Sequence, residues 1–577
     1  MEKRVLLAVA LSFLVLYGYQ ALFPPPKPAP STAPAPEVPG STTSGTAAAP
    51  PPAEAEAVAP TTPQEAPLVG DREEQDIVAE NDAVRAVFTN RGAVLKSWTL
   101  KRYKDGKGAL LDLVPQIVRG GPRPFTLLVE DGKLSATLRN AIYHASNPAL
   151  TMGSTPASLS FEYRDASGLV VRKDFGFDPA HPYVVDFTAA VSQNGAPLNP
   201  LVQWGPALGT GIIERSGSYN PPAQPIFYRD GSVTRVKTSN IQKSPNEEGI
   251  FGFVGVDDHY FLTAALPGNE RLHVEYQPVS VPVDGSTTGA NFVSWSTRAP
   301  GQTTPSAKYF LGPKDFDVLA GVDRNLVRAI DFGMFSWLVV PLLRALKWVN
   351  SYLGNYGWSI IALTVIINLV MFPLRHKSVV SMRKMQDIQP EVKAIQDRYA
   401  KLKMSDPAKQ KMNVELMNLY RERGVNPASG CVPMLLTLPV LFAFYAMLSV
   451  AIELRSAPFV GWIHDLSAHD PLYITPILMG ATMFVQQRMT PSTADPVQQK
   501  MMMFMPLVFT SMFLFAPSGL VLYWTVSNLW AIGQQMLTNR LIGPAPVRTV
   551  RPPAERQMKG AKSAGGGKTD LAKERNQ

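Results

Sequence analysis

One long apolar run carries three polar side chains at helical spacing. It reads WSIIALTVIINLVMFPLR, from Trp358 to Arg375. Thr364 and Asn368 interrupt it, and Arg375 closes it. At about 3.6 residues per turn, the three fall on one face of a helix. A hydroxyl, a carboxamide and a guanidinium on one face can hold water, hydrogen-bond a passing backbone and attract negative charge. The run is long and apolar enough to span a membrane. A polar stripe on such a helix belongs against a partner helix or a water-filled cavity, not lipid. Two readings stand at this point. In one, Thr364 and Asn368 bond to neighbouring helices and Arg375 marks the cytoplasmic end. In the other, the stripe lines a hydrophilic groove within the bilayer.

The elements around this run must decide between them. The chain has 577 residues, too many for one domain, with 45% hydrophobic residues and a net charge of +9. The basic residues gather beside the apolar stretches, with no zinc spacing and no RNA-binding aromatic motif, so the charge does not point to DNA or RNA as the ligand. Cys431 is the only cysteine, which excludes an intramolecular disulfide and reads as a small packing residue.

Residues 1–23 place Lys3 and Arg4 before an apolar stretch with no clear cleavage site, as expected of an uncleaved transmembrane anchor. Residues 24–70 are rich in Pro, Ala, Thr and Ser and read as a flexible linker. From 71 to 325, short alternating runs are punctuated by Gly, Asn, Asp and Pro. They are Ala83–Asn90, Val94–Tyr103, Ser158–Arg164, Leu169–Phe177, Tyr183–Val191, Arg271–Tyr276 and Asn291–Thr297, and they predict an all-β sandwich. His144, His181, His259 and His273 lie in this region without metal or triad spacing, even with Asp257 and Asp258 beside His259, and read as structural.

Residues 326–357 mix Trp and cations with apolar residues and predict an amphipathic helix in the membrane interface. The span 358–375 follows. Residues 376–430 predict a helical hairpin, its first arm carrying Met382, Met385, Ile388, Val392, Ile395, Tyr399 and Leu402. Its cations include Arg383, Lys384, Lys393 and Arg398. They read either as a merely solvated face or as a surface for anionic phospholipids, ribosomal RNA or client segments. Four apolar stretches occupy 431–540: Cys431–Val450, Leu472–Gln487, Met501–Phe515 and Leu520–Met536. The last three are short for a bilayer, which favours local thinning or a hydrated cavity. The tail, 541–577, is basic and expected to be disordered. Loop charges predict six spans, with both termini and the hairpin cytoplasmic and the sandwich on the other side. The spans lack buried carboxylates, which disfavours the main alternative, a solute transporter or channel.

Four segments carry a resemblance: NPASGCVPMLLTLPVLFAFYAML (426–448), ELRSAPFVGWIHDLSAHDP (453–471), DPVQQKMMMFMPLVF (495–509) and PSGLVLYWTVSNLW (517–530). They resemble the YidC/Oxa/Alb family of membrane insertases, in its Gram-negative form with a large periplasmic domain. The resemblance implies a polytopic helical protein of the bacterial inner membrane, with a five-helix core enclosing a hydrophilic groove, and a periplasmic supersandwich. It implies insertion of nascent membrane proteins, alone or beside the Sec translocon and with the ribosome, without catalytic chemistry, cofactor or metal. By the same resemblance, Thr364, Tyr523, Trp524 and Ser527 are expected at the groove. The position that carries a cation in the family is Asn368 here, and Arg375 is the candidate to supply the charge.

Overall fold

A computed structural model describes residues 67–542, apart from 106–107, 117–121, 209–221, 244, 282–289, 400–407, 425–431 and 490–495. The expected anchor, all but the last residues of the linker, Cys431 and the tail beyond 542 lie outside the described residues. Residues 496–501 belong to a unit separate from the one that holds the other described residues. They open one helix.

The other unit begins with a β-rich domain. Each of the seven alternating runs lies on a strand, because a period of two sends every second side chain inward. Leu169–Phe177 buries Leu169, Val171, Lys173, Phe175 and Phe177 in strict alternation. The longest strands extend past the expected runs, with Arg271–Val281 pairing antiparallel to Ala290–Arg298. Strands Leu110–Asp112, Val94–Lys104, Val84–Thr89, Asp76–Glu80 and Ala149–Thr151 form one sheet in that order. A larger antiparallel sheet centres on Phe261–Leu266, Ser306–Pro313, Val184–Gln193 and Leu169–Phe177. A third holds Asn246–Ile250, Arg271–Val281, Ala290–Arg298, Leu201–Ala207 and Thr126–Leu128. One short helix, α1 (Gly132–Asn140), is capped by Asp131.

Aromatic rings fill the core between the strands. Phe125 meets Phe187 at 4.8 Å and Trp204 at 5.0 Å, and Phe88 meets Phe175 at 4.8 Å, in the tilted and edge-on geometries that ring quadrupoles favour. Among them sits Lys173, fully buried. Its Nζ donates to the carbonyls of Gly92 (2.7 Å), Ala93 (3.1 Å) and Phe125 (2.8 Å). Ala93 and Phe125 both hold positive φ, at 46° and 69°. The lysine thus pins two unfavourable backbone conformations. Burial pushes its pKa down to about 7.

The helical part starts with α2 (Phe316–Val322), capped by Asp315, and α3 (Ser336–Leu353), which ends on left-handed Gly354. In α3, Val339, Leu342, Leu343 and Leu346 are buried, while Trp337, Trp348 and Tyr352 are exposed. Helix α4 (Tyr356–Asp387) is capped by Asn355, whose Oδ1 accepts from Gly357 N at 2.9 Å. The apolar run ends at Arg375, and the helix continues for twelve more residues beyond it. Pro373 removes one backbone bond without ending it, because Met382, Arg383, Lys384 and Met385 beyond it are good helix formers. The break falls at Ile388. Pro390, in the first turn of α5 (Gln389–Arg398), has no N–H to continue the ladder. The first hairpin arm is therefore two helices, not one.

Helix α6 (Ala408–Glu422) packs back on α5, burying Ile388, Val392, Ile395 and Leu419. Next come α7 (Val432–Val450), α8 (Ile474–Met489), α9 (Pro496–Phe513) and α10 (Ser518–Ile542). A Cβ on Gly480 of α8 would collide with Thr510 of α9, so glycine is what lets these two helices approach. The last stretch was expected to be a short helix, yet α10 runs 25 residues. Beyond Met536 it adds Thr538, which is buried, and Gln534 and Gln535 at the end of the expected stretch are buried as well. Among the described residues, α4 is the helix with a stretch long and apolar enough to cross a membrane on its own. Shorter apolar stretches lie at Leu438–Val450 and Met501–Phe513.

Candidate functional site

The three residues on the face of α4 form a ladder. Thr364 Oγ1 donates to Ile360 O at 2.6 Å, Asn368 Nδ2 donates to Thr364 O at 2.7 Å, and Arg375 Nη1 donates to Asn368 Oδ1 at 2.6 Å. Thr364 and Asn368 are buried. All three bonds stay within α4, and among the described residues none of the three side chains bonds to another helix. The geometry follows from helix stereochemistry. Side chains lean toward the N-terminus of their helix, so Arg375 reaches back along α4 to a residue two turns before it. Asn368 holds the cation at its own level. Among the described residues, Arg375 has no carboxylate partner.

Helix α10 packs along α4. Tyr523 lies within electrostatic reach of Arg375, hydrogen-bonds Ser527, and stacks on Phe444 of α7 at 4.4 Å. Thr364, Asn368, Arg375, Tyr523 and Ser527 are thus neighbours on two parallel lines. Trp524 is turned away from them, its ring 5.1 Å from Phe513 and 6.0 Å from Phe509 of α9. The polar line continues beyond what spacing around Arg375 signalled. His376 Nδ1 pairs with Thr538 Oγ1 at 3.3 Å, and Asn528 Nδ2 donates to Thr482 Oγ1 of α8 at 3.2 Å. Buried Gln534 keeps its Nε2 without a partner among the described residues. The signal was present in α10 as Thr525, Asn528, Gln535 and Thr538, polar residues three or seven apart in an apolar helix.

The hairpin cations are dispersed. Arg383 and Lys384 stand on the last turns of α4, and Arg383's side chain lies outside the description. Lys393 on α5 is exposed. Arg398 is engaged, donating to Glu415 of α6 at 2.6 Å, and Arg423 pairs with Glu391. Outside these two cross-hairpin ion pairs, Lys384, Lys393, Lys411 and Arg421 are exposed.

Of the histidines, His144 pairs with Asp71 at 2.9 Å and His259 Nε2 contacts Ser449 O at 2.6 Å, at the end of α7. Burial pushes His259's pKa below its ordinary value. Asp257 is buried against Arg235 and Lys314, at 3.0 and 3.1 Å. The Asp257–His259 segment is therefore a joint between the β-rich domain and the helices.

A β-rich domain joined to apolar helices with an internal polar face defines the class, a membrane protein with a large domain outside the bilayer. Residues 76–345 match the YidC periplasmic domain, and residues 348–544 match the family described as 60Kd inner membrane protein. The chain is 38% identical over 559 residues to the membrane protein insertase YidC of Geotalea uraniireducens, covering 94% of this chain and 99% of that one. It is 35% identical over 559 residues to the YidC of Geobacter metallireducens, covering 95% and 100%. A crystal structure of an active YidC insertase with its first transmembrane domain resolved aligns over 81% of this chain and 93% of that chain, at 17% identity and a TM-score of 0.33. The chain belongs to the YidC membrane protein insertase family.

Proposed function

We propose that this chain passes nascent hydrophobic segments from the cytoplasm into the lipid bilayer of a bacterial inner membrane, along the polar lane between α4 and α10. The observation that carries this reading is the Arg375 guanidinium, folded back onto Asn368 with no acidic partner among the described residues. A desolvated cation without a counterion is costly unless water or a visiting anion reaches it. A closed helix–helix contact has no use for such a group, whereas a groove that admits polar client tails does.

The topology proposed with it has six spans: the 1–23 anchor, the first part of α4, and α7 to α10. Both termini and the α5–α6 hairpin are cytoplasmic, and the β-rich domain is periplasmic. Helix α3, with Trp337, Trp348 and Tyr352 exposed, lies in the outer interface. Lys384 and Lys393 meet anionic phospholipids or the ribosome, and the basic tail adds ribosome attraction. Action alone or beside the Sec translocon is part of the same proposal. No catalytic step is assigned, and DNA is not a partner.

The test is reconstitution. The purified chain in liposomes should make the translocated tail of a ribosome-synthesised single-span client protease-resistant, whereas liposomes without it should leave the tail digested. Equal protection in both would remove the proposal.

A further inference from the structure

A second unusual cation lies on α3. Lys347 of α3 points at three carboxylates from two other elements. Its Nζ is 2.6 Å from Asp317 Oδ2, 3.4 Å from Asp315 Oδ2 and 3.1 Å from Glu453 Oε1. Asp315 and Asp317 form the cap and first turn of α2, where the chain leaves the β-rich domain. Glu453 sits in the short 3-10 turn Ile452–Leu454 that follows α7, and its side chain is 7% exposed. Three elements distant in sequence therefore converge on one ammonium.

The surroundings reinforce the convergence. Helix α3 packs against both α4 and α7, and Phe335 before its first turn stacks on Phe442 of α7. Arg455, two residues beyond Glu453, donates to Lys104 O at 3.3 Å and lies over Phe261, both in the β-rich domain. His259 reaches Ser449 from the same side. Tyr103 and Tyr356 also face the cluster, Tyr183 lies within electrostatic reach of Asp315, and Arg102 lies beside Tyr103 and Tyr183.

We propose that Lys347 is a positioning residue for insertion: it clamps α2, α3 and the outer end of α7 together, and so fixes the outer ends of the helices that flank the polar lane. This rests on the insertase reading above. The physical reason is the imbalance of the cluster, one cation against three carboxylates. Removing Lys347 leaves Glu453 buried without a counterion, and burial already raises Glu453's pKa. The stranded carboxylate must then take a proton or leave its site. Leaving it opens the joint between α3 and α7. Asp315 retains the backbone N–H groups of Asp317 and Val318, and Asp317 is solvent-exposed, so neither is stranded in the same way.

The sign of the pH effect follows. A carboxyl whose folded pKa is raised is accommodated best once protonated, so a joint lacking Lys347 is restored as pH falls and lost as pH rises. The experiment compares the full-length protein with Lys347→Arg, Lys347→Met, and Lys347→Met combined with Glu453→Gln, in the liposome insertion assay between pH 5.5 and 8. At pH 7.5, Lys347→Met should insert roughly tenfold more slowly, less than the full cost of breaking a buried ion pair because Lys347 is itself partly exposed and Glu453 can take up a proton. Its rate should climb toward wild type as pH falls. The double variant should recover most of the loss at pH 7.5 and show no such pH dependence, and Lys347→Arg should insert normally. If Lys347→Met does not fold, recovery of folding by Glu453→Gln carries the same information. A Lys347→Met loss that neither acid nor Glu453→Gln repairs would mean that the side chain acts by packing alone, and a wild-type rate for Lys347→Met would mean that the clamp is dispensable. Either overturns the proposal while the wild-type protein still inserts. Failure of the wild type itself would instead count against the insertase reading.

Discussion

Excision of the hairpin is expected to abolish insertion while leaving the spans folded. The deletion runs from Gln389 to Arg423, replaced by a short Gly/Ser linker. It begins after Asp387 because α4 is continuous to that point and an earlier cut would shorten the lane-bearing helix. The hairpin keeps its own small core of Ile388, Val392, Ile395 and Leu419, and its own ion pairs Arg398–Glu415 and Arg423–Glu391. Little of its stability is shared with the spans, so removal should leave their melting transition within a few degrees. What the proposed function would lose is a positive surface on the hairpin, bearing Lys393, Lys411 and Arg421. Surface cations of this kind contribute about 1 kcal/mol each near an anionic membrane. Full growth of a depletion strain rescued by the deleted protein would show that the hairpin is only a solvated, orienting element.

The second large effect concerns the lane. Arg375→Ala should slow insertion of a client with an acidic translocated tail roughly tenfold and change a neutral-tailed client less than twofold. A charge pair at about 4 Å contributes a few kcal/mol in partly screened surroundings, more than the tenfold equivalent of 1.4 kcal/mol. Asn368→Leu removes the acceptor that holds the guanidinium inward, a hydrogen bond to a charged group and so about 1.5–3 kcal/mol. The arginine is then free to swing to the cytoplasmic headgroups. Asn368→Leu should therefore resemble Arg375→Ala on the acidic client. Asn368→Arg places a cation at the lane directly and should be tolerated. Equal insertion of both clients by Asn368→Leu and by wild type would make the polar face simple helix packing.

Much of this was legible in the sequence because it depends on local periodicity. Leu169–Phe177 alternates in sequence and in burial, and Thr364, Asn368 and Arg375 share a helical face whatever surrounds them. Long-range facts were not legible. Lys173 occupies an inward register on its strand, but only the fold shows three carbonyls waiting for it. Lys347 looked like one more interfacial cation, because its partners lie about 30 residues before it and over 100 after it. The helix continuations past Arg375 and past Met536 share one cause. Hydropathy ends where polar residues begin, whereas backbone hydrogen bonding continues until something such as Pro390 stops it.

The central claim is that the client travels along the α4–α10 lane, and site-specific photocrosslinking of a stalled nascent membrane protein tests it most directly. Probes are placed at Ser527 on the lane, at Trp524 toward α9, and at exposed Leu529 on the outer surface of α10. The account predicts strong adducts from Ser527, weaker ones from Trp524, and only background from Leu529. Adducts that are strongest at Leu529 and missing at Ser527 would contradict it, placing the client on the outer face of the helix.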